Sequence, residues 1–316
     1  MSLPQSFFED LMSHYGFSLK SLQDAASSLS NLYRQKKPLE RPSLSNAERL
    51  SYCFTRFPAT YEVIREVFTH LPKTQTVESF LDLGCGPGTA TKAALDCFES
   101  LQHVCLVDHD KQMLDLANFI LLKTTALKEA SYLKQSLTNL DVKGSYDLVV
   151  LPYVLGEISP KERETVLAKA LEKTSKALVI ITPGRPFDKE YLLKARTYLL
   201  KKKMFCYAPC PHGFDCPLEN TSNWCHFSKR LARNSFHRYL KQGDLGYEDE
   251  KYSYLIFTKE SHEREPFKRL IGPIYQQKGA VELSLCTAKG QWDRDVIKKS
   301  APLYKVFKKK KWGETI

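Results

Sequence analysis

The sequence lacks an apolar run long enough to cross a membrane. Its best candidate, residues 148–155, is interrupted by Pro152, whereas a spanning helix needs about 18 or more consecutive apolar residues. It also lacks a basic N-terminus, because the first ten residues contain two acidic residues and no basic one, unlike a secretory signal or a transit peptide. We therefore expect a soluble, cytoplasmic protein that makes no membrane contact.

The cysteine content argues against a disulfide framework. The chain has nine cysteines, an odd number, and no secretory signature, so we expect free thiols or metal ligands. Four of the nine fall within twenty residues, whereas the others are scattered along the chain. The clustered cysteines are Cys206, Cys210, Cys216 and Cys225.

This cysteine cluster predicts a metal site. His212, His226 and the distant Cys286 are further candidate ligands. Mixed Cys and His ligands would suit zinc, whereas four thiolates would suit a four-iron four-sulfur (4Fe-4S) cluster. The irregular spacing, without paired C-x2-C knuckles, favours the iron-sulfur cluster. Free surface thiols are the alternative interpretation.

Positive charge is concentrated in the last third of the chain. The net charge is +11. Residues 1–200 contain 24 Lys and Arg against 23 Asp and Glu, a balance of +1, whereas residues 201–316 contain 23 against 13, a balance of +10. A basic part beside a neutral part predicts a polyanionic partner, of which nucleic acid is the usual one. A merely solvated basic surface is the alternative.

The periodicity of apolar residues divides the chain into four regions. Residues 1–76 have helical periodicity on both sides of a segment that contains Pro38 and Pro42. Short apolar runs at 80–83, 104–107, 148–151 and 177–181 then alternate with helical stretches, which predicts an α/β fold with a parallel sheet. Further strands are predicted at 252–257 and 280–286. The predicted regions are a helical region (1–76), a Rossmann-like domain (77–200), a cysteine-rich metal-binding insertion (201–246) and C-terminal strands with a basic tail (247–316).

A glycine-rich turn follows the first predicted strand. Asp82, Gly84, Gly86 and Gly88 give the spacing Asp-x-Gly-x-Gly-x-Gly, and glycine at a strand-to-helix turn permits positive φ and close approach of a ligand. A dinucleotide fingerprint would need glycine at position 89, where the chain has threonine. The spacing instead resembles the first motif of S-adenosylmethionine-dependent methyltransferases.

An acidic residue supports this interpretation. Asp108 ends the next predicted strand, 20 residues after Gly88, where a carboxylate can accept hydrogen bonds from two ribose hydroxyls. The sequence therefore predicts an S-adenosylmethionine site, with Asp82 facing the methionine end of the cofactor. The predicted site residues are Asp82, Gly84, Gly86, Gly88 and Asp108.

No catalytic residue can be assigned in the same way. Base N-methyltransferases commonly place Asn or Asp before Pro-Pro-Tyr to hold the target amine, but this chain has Leu151 before Pro152 and Tyr153. Glu157 is a candidate base or a cap for the helix that follows. The catalytic residues therefore stay unknown.

Four longer segments carry a resemblance to a family. They are RFPATY at 56–61, PCPHGFDCP at 209–217, WCHFS at 224–228 and GYEDEKYSY at 246–254. These segments resemble the methyltransferase-like proteins of the mitochondrial small ribosomal subunit and their bacterial relatives. The resemblance implies a Rossmann-like class I methyltransferase fold and association with the small ribosomal subunit and its rRNA. The chain departs from that family at Thr182-Pro-Gly-Arg185, where relatives often have Glu-Pro-Gly-Thr.

The resemblance also implies a set of metal ligands and two alternative functions. The implied ligands of a 4Fe-4S cluster are Cys210, Cys216, Cys225 and Cys286, which leaves Cys206 outside the set. The first function is an S-adenosylmethionine-dependent methyltransferase that acts on small-subunit rRNA. The alternative is an assembly factor that binds rRNA without chemistry and keeps cofactor and metal as structural or sensing elements.

An RNA partner would be held by basic and aromatic side chains. The candidate phosphate contacts are residues 201–203, Lys229, Arg230, Arg233, Arg238, Lys241 and residues 308–311, and the candidate stacking residues are Phe227, Phe236, Tyr239, Phe307 and Trp312. Helical spacing indicates that Phe236 and Tyr239 pack in the core instead. We expect the acidic residues 248–250 to pair with nearby Arg or Lys, or to fix a loop near the cofactor.

Overall fold

Four helices precede the first strand. The computed structural model describes residues 5–34, 44–124 and 129–316, so Pro38 and Pro42 lie outside the described residues. The helices are α1 (Gln5–Tyr15), α2 (Leu19–Arg34), α3 (Asn46–Thr55) and α4 (Phe57–Phe68). Helix α3 begins with a capping box, in which Ser45 and Glu48 each accept a hydrogen bond from the other's backbone amide. The helical periodicity predicted for this region is confirmed.

The centre of the molecule is a large mixed sheet. Its strands are β1 (Ser79–Leu83), β2 (His103–Asp108), β3 (Glu129–Lys134), β4 (Tyr146–Pro152), β5 (Thr174–Pro183), β6 (Phe205–Ala208), β7 (Phe227–Ala232) and β8 (Tyr247–Thr258). The order is β3-β2-β1-β4-β5-β8-β6, and β7 also pairs with β8. Strands β1 to β5 are parallel, whereas β8 is antiparallel to β5, β6 and β7.

Helices cover both faces of this sheet. They are α5 (Thr89–Cys97), α6 (Lys111–Thr124), α7 (Arg163–Glu172), α8 (Lys189–Lys201) and α9 (Ser235–Lys241). Successive strand residues point to opposite faces, so Phe80 packs in the core that contains α4, α5 and α6, and Leu81 packs in the core that contains α7 and α8. This topology confirms the predicted Rossmann-like methyltransferase fold. None of the helices in the described ranges has the length and apolar character to cross a membrane.

A second, smaller sheet follows the large one. It consists of β9 (Arg269–Leu270), β10 (Tyr275–Gln277), β11 (Ala280–Cys286) and β12 (Trp292–Lys298), and the short helix α10 (Tyr304–Phe307) packs beside it. Its core is a separate cluster around Leu270, Leu283 and Leu285. The large sheet takes strands from three of the four predicted regions, whereas the small sheet lies wholly in the last one.

The basic stretch 227–241 contains the strand β7 and then the helix α9. Phe236 is buried, as predicted, but Tyr239 is 47% exposed. The prediction that Tyr239 packs in the core was wrong, because α9 is only seven residues long and turns one narrow face inward.

The acidic residues at the start of β8 pair with basic residues, as predicted. Each pair lies within 3 Å: Glu248 with Arg233 and Lys241, Asp249 with Arg230, and Glu250 with Arg56. Lys229 forms a further pair with Glu66 on α4. Four of the predicted phosphate contacts are therefore already neutralised by acidic partners.

Glu248 is the most enclosed of these carboxylates. Its side chain is 11% exposed, and the Nε2 atom of the buried His237 lies 3.3 Å from its Oε1 atom. Burial alone would raise the pKa of Glu248, but His237, Lys241 and Arg233 together hold this pKa well below its usual range. The carboxylate thus compensates several basic groups that β7, α9 and β8 bring together.

We expect Glu248→Gln to lower the free energy of unfolding by about 3 kcal/mol or more, because it leaves buried cations without their anion. Asp249→Asn is the matched control, since the Arg230–Asp249 pair is exposed and its loss should change stability by less than about 1 kcal/mol. Urea denaturation of both variants measures the two values. Equal losses would contradict a special role for Glu248.

Candidate functional site

The glycine-rich turn lies at the carboxyl end of β1. Strand β1 lies between β2 and β4, so the chain builds the sheet outward from β1 in both directions. Open α/β sheets bind ligands at the carboxyl ends of the strands where the strand order changes direction in this way. Gly84, Gly86 and Gly88 have φ values of +74°, +51° and +76°, a backbone conformation that other residues rarely adopt. Helix α5 begins directly after Gly88. The prediction of a strand-turn-helix unit around these glycines is confirmed.

The three glycines are needed for different reasons. A Cβ atom on Gly84 would lie 2.5 Å from Cγ2 of Val154, and one on Gly88 would lie 3.1 Å from Cβ of Ala117. A Cβ atom on Gly86 would meet nothing within 4 Å. Gly84 and Gly88 therefore allow close packing of the protein, whereas Gly86 leaves open space above its backbone for a ligand.

Asp108 lies directly beside the turn. It is 7% exposed, and its Oδ2 atom accepts a hydrogen bond of 2.8 Å from the amide of Gly86. Its Oδ1 atom accepts one of 2.9 Å from the amide of Asp110 and lies 3.2 Å from Nδ1 of His109. A carboxylate oxygen has a second lone pair, so Oδ2 can still accept a hydroxyl group, whereas at Oδ1 a hydroxyl group would compete with His109. The carboxylate is thus held in place beside the turn and keeps an acceptor position for a ribose.

Asp82 lies beneath the turn and is completely buried. Its Oδ2 atom accepts hydrogen bonds from the amide (3.0 Å) and the hydroxyl (2.8 Å) of Thr91 in α5. Its buried Oδ1 atom has no hydrogen-bond partner among the described residues. Burial raises the pKa of Asp82 to about 7, against the opposing hydrogen bonds from Thr91. This side chain fixes the first turn of α5 and keeps one acceptor atom unused.

A cleft of about 660 Å³ opens at this place. Gly84, Gly86 and Asp108 line it, whereas Asp82 and Gly88 lie behind its wall. The structure thus brings three of the five predicted cofactor residues to one surface and places the other two in supporting positions.

Sequence reasoning missed part of the cleft wall. Arg49 and Tyr52 reach the cleft from α3, and residues 135–138 reach it from the loop after β3. Arg49 also pairs with Asp110 at 2.8 Å, which fastens α3 over the loop that follows β2. The loop at 135–138 could have been found as the polar segment after a third parallel strand, but β3 itself has few apolar residues and was not predicted.

A second cavity of about 1000 Å³ adjoins the cleft. Tyr52, Tyr153 and Glu157 line both spaces. Tyr153 has φ +62°, which is strained for a residue other than glycine, and its buried hydroxyl has no hydrogen-bond partner among the described residues. The next helix begins at Arg163 with Glu162 as its cap residue, so Glu157 lies at the junction of the two spaces and not at a helix start.

The clustered cysteines converge with the distant Cys286. Cys216, Cys225 and Cys286 pack in one small apolar cluster with Leu218, Ile271 and Trp292. Cys210 interacts electrostatically with all three of these thiols. In the described parts of the chain, no three His, Cys, Asp or Glu side chains are arranged to hold a single metal ion. The structure therefore packs three of the four predicted ligands together and places Cys210, which packs against the core of α7 and α8, near enough to interact with them. Their binding of metal stays a prediction.

Cys206 lies beside Cys210. A hydrogen bond from Cys206, followed by the charge of the neighbouring Arg196, holds the pKa of the Cys210 thiol well below its usual range, although burial opposes this shift. The main chain of this segment is anchored by Arg264, whose guanidinium donates hydrogen bonds to the carbonyl oxygens of Cys206, Tyr207 and Cys210. The thiols thus lie in a braced segment of the chain.

Exposed lysines remain at the C-terminal end. Lys298 ends β12, Lys299 follows it, and Lys305, Lys308 and Lys309 lie on and after α10. All five are exposed, and the described residues include no salt-bridge partner for them. We call these five residues the lysine patch. Unlike Lys229, Arg230, Arg233 and Lys241, and like the exposed Arg238 and residues 201–203, they are available to an anionic partner.

Comparison with known proteins gives one family. The family model described as mitochondrial small ribosomal subunit Rsm22 matches residues 46–316. The human mitochondrial ribosome assembly protein METTL17 is 26% identical over 279 residues, which are 82% of this chain and 59% of that protein. The chain thus spans less than two thirds of the length of that relative.

Among solved structures, two methyltransferases are similar. The magnesium protoporphyrin IX methyltransferase of Synechocystis with bound S-adenosylmethionine is 11% identical, with a TM-score of 0.42 over 75% of this chain and 97% of that one. The N-methyltransferase NodS of Bradyrhizobium japonicum with S-adenosyl-L-homocysteine is 12% identical, with a TM-score of 0.42 over 74% and 97%.

A pair of glycine variants tests the geometry of the cleft. Gly86→Ala should weaken binding of the predicted cofactor at least about tenfold, or ~1.4 kcal/mol, because its methyl group would enter the ligand space. Gly84→Ala, with the same left-handed strain, should chiefly lower stability, because its methyl group would overlap Val154. Calorimetric titration and urea denaturation of both variants measure these effects. Normal cofactor affinity in Gly86→Ala would show that the ligand space lies elsewhere.

Proposed function

Because the chain belongs to the Rsm22 family of mitochondrial small ribosomal subunit proteins, we propose that it binds S-adenosylmethionine and acts on or with the small ribosomal subunit and its rRNA. The observation that carries this proposal is the shared surface of Gly86 and Asp108, which faces a cleft that continues into a larger cavity. Assembly of the small subunit is proposed by analogy with the human relative. A cytoplasmic location stays a prediction from the first ten residues.

The residues of the cleft fit S-adenosylmethionine. Asp108 offers the free lone pair of Oδ2 to a ribose hydroxyl, a second hydroxyl could replace His109 at Oδ1, and the backbone of Gly86 leaves room for the cofactor. The unused Oδ1 atom of Asp82 is a buried acceptor behind the same wall, where a water molecule or the methionine end can donate to it. The bound cofactor would supply an electrophilic methyl group at the junction with the second cavity.

Two observations bear on whether methyl transfer takes place. A methyl acceptor would enter the second cavity and approach the cleft between Tyr153 and Glu157. However, β4 ends in Leu151 and Pro152, whose side chains have no group that could hold an amine by hydrogen bonds, and Tyr153 stands between the two spaces. These residues favour an assembly factor that binds the cofactor without chemistry as the second candidate function.

Two measurements on one preparation separate these functions. Cosedimentation with small ribosomal subunits tests association, and incubation of the same particles with S-adenosylmethionine carrying a labelled methyl group tests transfer. Association with label in the rRNA would support the methyltransferase. Association without label, under conditions where the cofactor binds, would support the assembly factor, and absence of association would contradict both.

Asp108→Ala should weaken binding of S-adenosylmethionine by about 1 to 3 kcal/mol, because it removes the ribose acceptor. The control is Glu172→Ala on α7, an exposed carboxylate that pairs with Lys173 outside the cleft. Isothermal titration calorimetry of both variants against wild type measures the difference. Unchanged affinity in Asp108→Ala would reject its role in binding the ribose.

For the metal we propose a 4Fe-4S cluster held by Cys210, Cys216, Cys225 and Cys286, with zinc as the alternative. The proposal is supported by the donor chemistry, because Cys216, Cys225 and Cys286 pack in one cluster and the thiol of Cys210 interacts electrostatically with them. The bound metal would join β11 of the small sheet to the segment between β6 and β7. Loss of the metal should therefore loosen the basic part of the chain.

Cys216→Ser should abolish retention of the metal, and Cys206→Ser should leave it unchanged, because Cys206 lies outside the proposed ligand set. Protein purified without oxygen is analysed for iron, zinc and sulfide, together with its visible spectrum. About four irons per chain would support the iron-sulfur cluster, and one zinc without sulfide would support the alternative. Wild-type metal content in Cys216→Ser would remove Cys216 from the ligand set.

For rRNA binding we propose the lysine patch as the main phosphate contact. The proposal is supported by the exposure of its five lysines, whereas Lys229, Arg230, Arg233 and Lys241 are neutralised by carboxylates. Each phosphate contact releases counterions, so this binding should weaken steeply with salt.

A further inference from the structure

Two arginines in the wall of the second cavity each stack on an aromatic ring. The guanidinium carbon of Arg163 lies 4.7 Å from the centre of the Tyr191 ring. That of Arg185 lies 4.1 Å from the centre of the Phe187 ring, and all four side chains belong to residues that line the cavity. Asp188 forms an ion pair with Arg185. The same carboxylate interacts electrostatically with Arg163 and Tyr191, so the two stacks are neighbours. We call these four lining residues the stacked wall.

Arg163 is held so that its outer nitrogens stay available. Its Nε–H group is shared between the carbonyl oxygens of Leu155 (3.1 Å) and Ile158 (3.0 Å). Its guanidinium lies over the ring of Tyr191, which is a buried and therefore fixed support. Within the described ranges Arg163 forms no salt bridge, and its Nη groups donate to no other residue. A guanidinium fixed in this way presents a planar fork of donors, which matches the oxygens of a phosphate.

Arg185 and Phe187 offer flat surfaces rather than a free charge. Arg185 donates two hydrogen bonds, of 2.8 and 2.9 Å, to the buried carboxylate of Asp188, which compensates its charge. However, 38% of the Arg185 side chain and 47% of Phe187 stay exposed. A single exposed phenylalanine is common. One that lies against a fixed guanidinium in a cavity wall is instead a platform on which a nucleobase can stack.

A further cation lies on β8 beside the stacked wall. The carbonyl oxygen of Lys251 accepts a 3.0 Å hydrogen bond from the amide of Gly184, the residue before Arg185. Lys251 lines the cavity and is exposed, and the described residues include no salt-bridge partner for its side chain. The carboxylates of residues 248–250 on the same strand pair with other cations. Arg163 and Lys251 are therefore two cations of this cavity that can each bind a phosphate.

We propose that the stacked wall binds single-stranded RNA, with phosphates on Arg163 and Lys251 and a base stacked on Phe187. The proposal rests on the proposed function, from which it takes rRNA as the partner, and it names the form of RNA and the surface that binds it. The cavity of about 1000 Å³ is at the upper end of pockets that enclose one small ligand, roughly 300 to 1,000 Å³. One nucleotide can enter it, whereas a duplex is too wide and keeps the faces of its bases stacked on each other.

A nucleotide that enters from this wall would face the cofactor cleft. The cavity meets the cleft at Tyr153 and Glu157, and enzymes that modify a base first take it out of its stack. A strand held on the stacked wall would present an unpaired nucleotide to this junction. The lysine patch lies beside the small sheet, outside the cavity, and would contact other phosphates of the same RNA.

Fluorescence anisotropy with a labelled single-stranded RNA of about 16 nucleotides tests these assignments at several salt concentrations. Phe187→Ala should weaken binding about fivefold or more without changing its salt dependence, because it removes stacking and no charge. Arg163→Gln should weaken binding and make the slope of log association constant against log salt shallower by about 0.7, the value for one phosphate contact of a single strand. Arg163→Lys should keep the wild-type slope but recover only part of the affinity, because an ammonium group lacks the planar fork.

The controls are a second RNA and two variants outside the cavity. The same RNA annealed to its complement should bind Phe187→Ala and wild type equally, because its bases are not free to stack. Phe205→Ala removes a phenylalanine of nearly equal exposure, 46%, on β6. Lys143→Gln removes an exposed cation that precedes β4, at the amino end of the parallel strands. Both variants should bind the single strand with wild-type affinity. Thermal unfolding checks the fold of each variant, and the half-exposed Phe187 carries the test if Arg163→Gln does not fold.

The outcomes separate this proposal from the proposed function. Wild-type protein that does not bind the RNA would reject the stacked wall, and absence of cosedimentation with small subunits as well would reject the proposed function. Unchanged RNA binding in Phe187→Ala and Arg163→Gln would reject the stacked wall alone. Equal losses for duplex and single strand would contradict recognition of unpaired bases. If Phe187→Ala impaired cosedimentation but not RNA binding, the wall would bind a ribosomal protein instead.

Discussion

The rest of the structure depends on the pairing of β8 along both of its edges. A sheet that ended at β5 would leave a row of unpaired amide and carbonyl groups, but residues 252–258 of β8 cover that edge in antiparallel register. The other edge of β8 pairs with β6 at one end and with β7 at the other. These two strands bracket the cysteine-rich segment in sequence, so the same twelve residues close the Rossmann-like sheet and hold both ends of that segment.

This arrangement also explains why four basic residues of the stretch 227–241 are not free cations. Antiparallel pairing of β7 with β8 puts Lys229, Arg230 and Leu231 opposite Glu250, Asp249 and Glu248. Opposite charges on paired strands attract one another, and Lys229, Arg230, Arg233 and Lys241 all pair with carboxylates. The exposed cations without a salt-bridge partner among the described residues include Arg238, residues 201–203 and the lysine patch.

Features that depend on neighbouring residues could be predicted from the sequence, whereas contacts between residues distant in sequence could not. Buried parallel strands such as β4 and β5 are continuous apolar runs, and the glycine turn is a local motif, so both could be predicted. Strand β3 lies at the sheet edge and only half of its residues are apolar. It therefore lacks the continuous apolar run by which the buried strands could be recognised. Arg49 contacts Asp110, which lies 61 residues further along the chain, and Arg196 contacts His212 across the turn and strand that follow α8. No local pattern marks a buried arginine. The approach of Cys286 to Cys216 became predictable only through a family resemblance.

The two sites are joined by the segment between β5 and α8. The carbonyl of Gly184 accepts a hydrogen bond from the indole of Trp224, and Lys189 donates to the carbonyl oxygens of Leu218 and Thr221 in the cysteine-rich segment. The same short segment contributes Arg185 to the wall of the second cavity. Because these contacts bind the cavity wall to the chain around the thiols, disorder in the cysteine-rich segment would free that wall. The order of the cysteine-rich segment is therefore coupled to the wall of the second cavity through contacts already present in the fold.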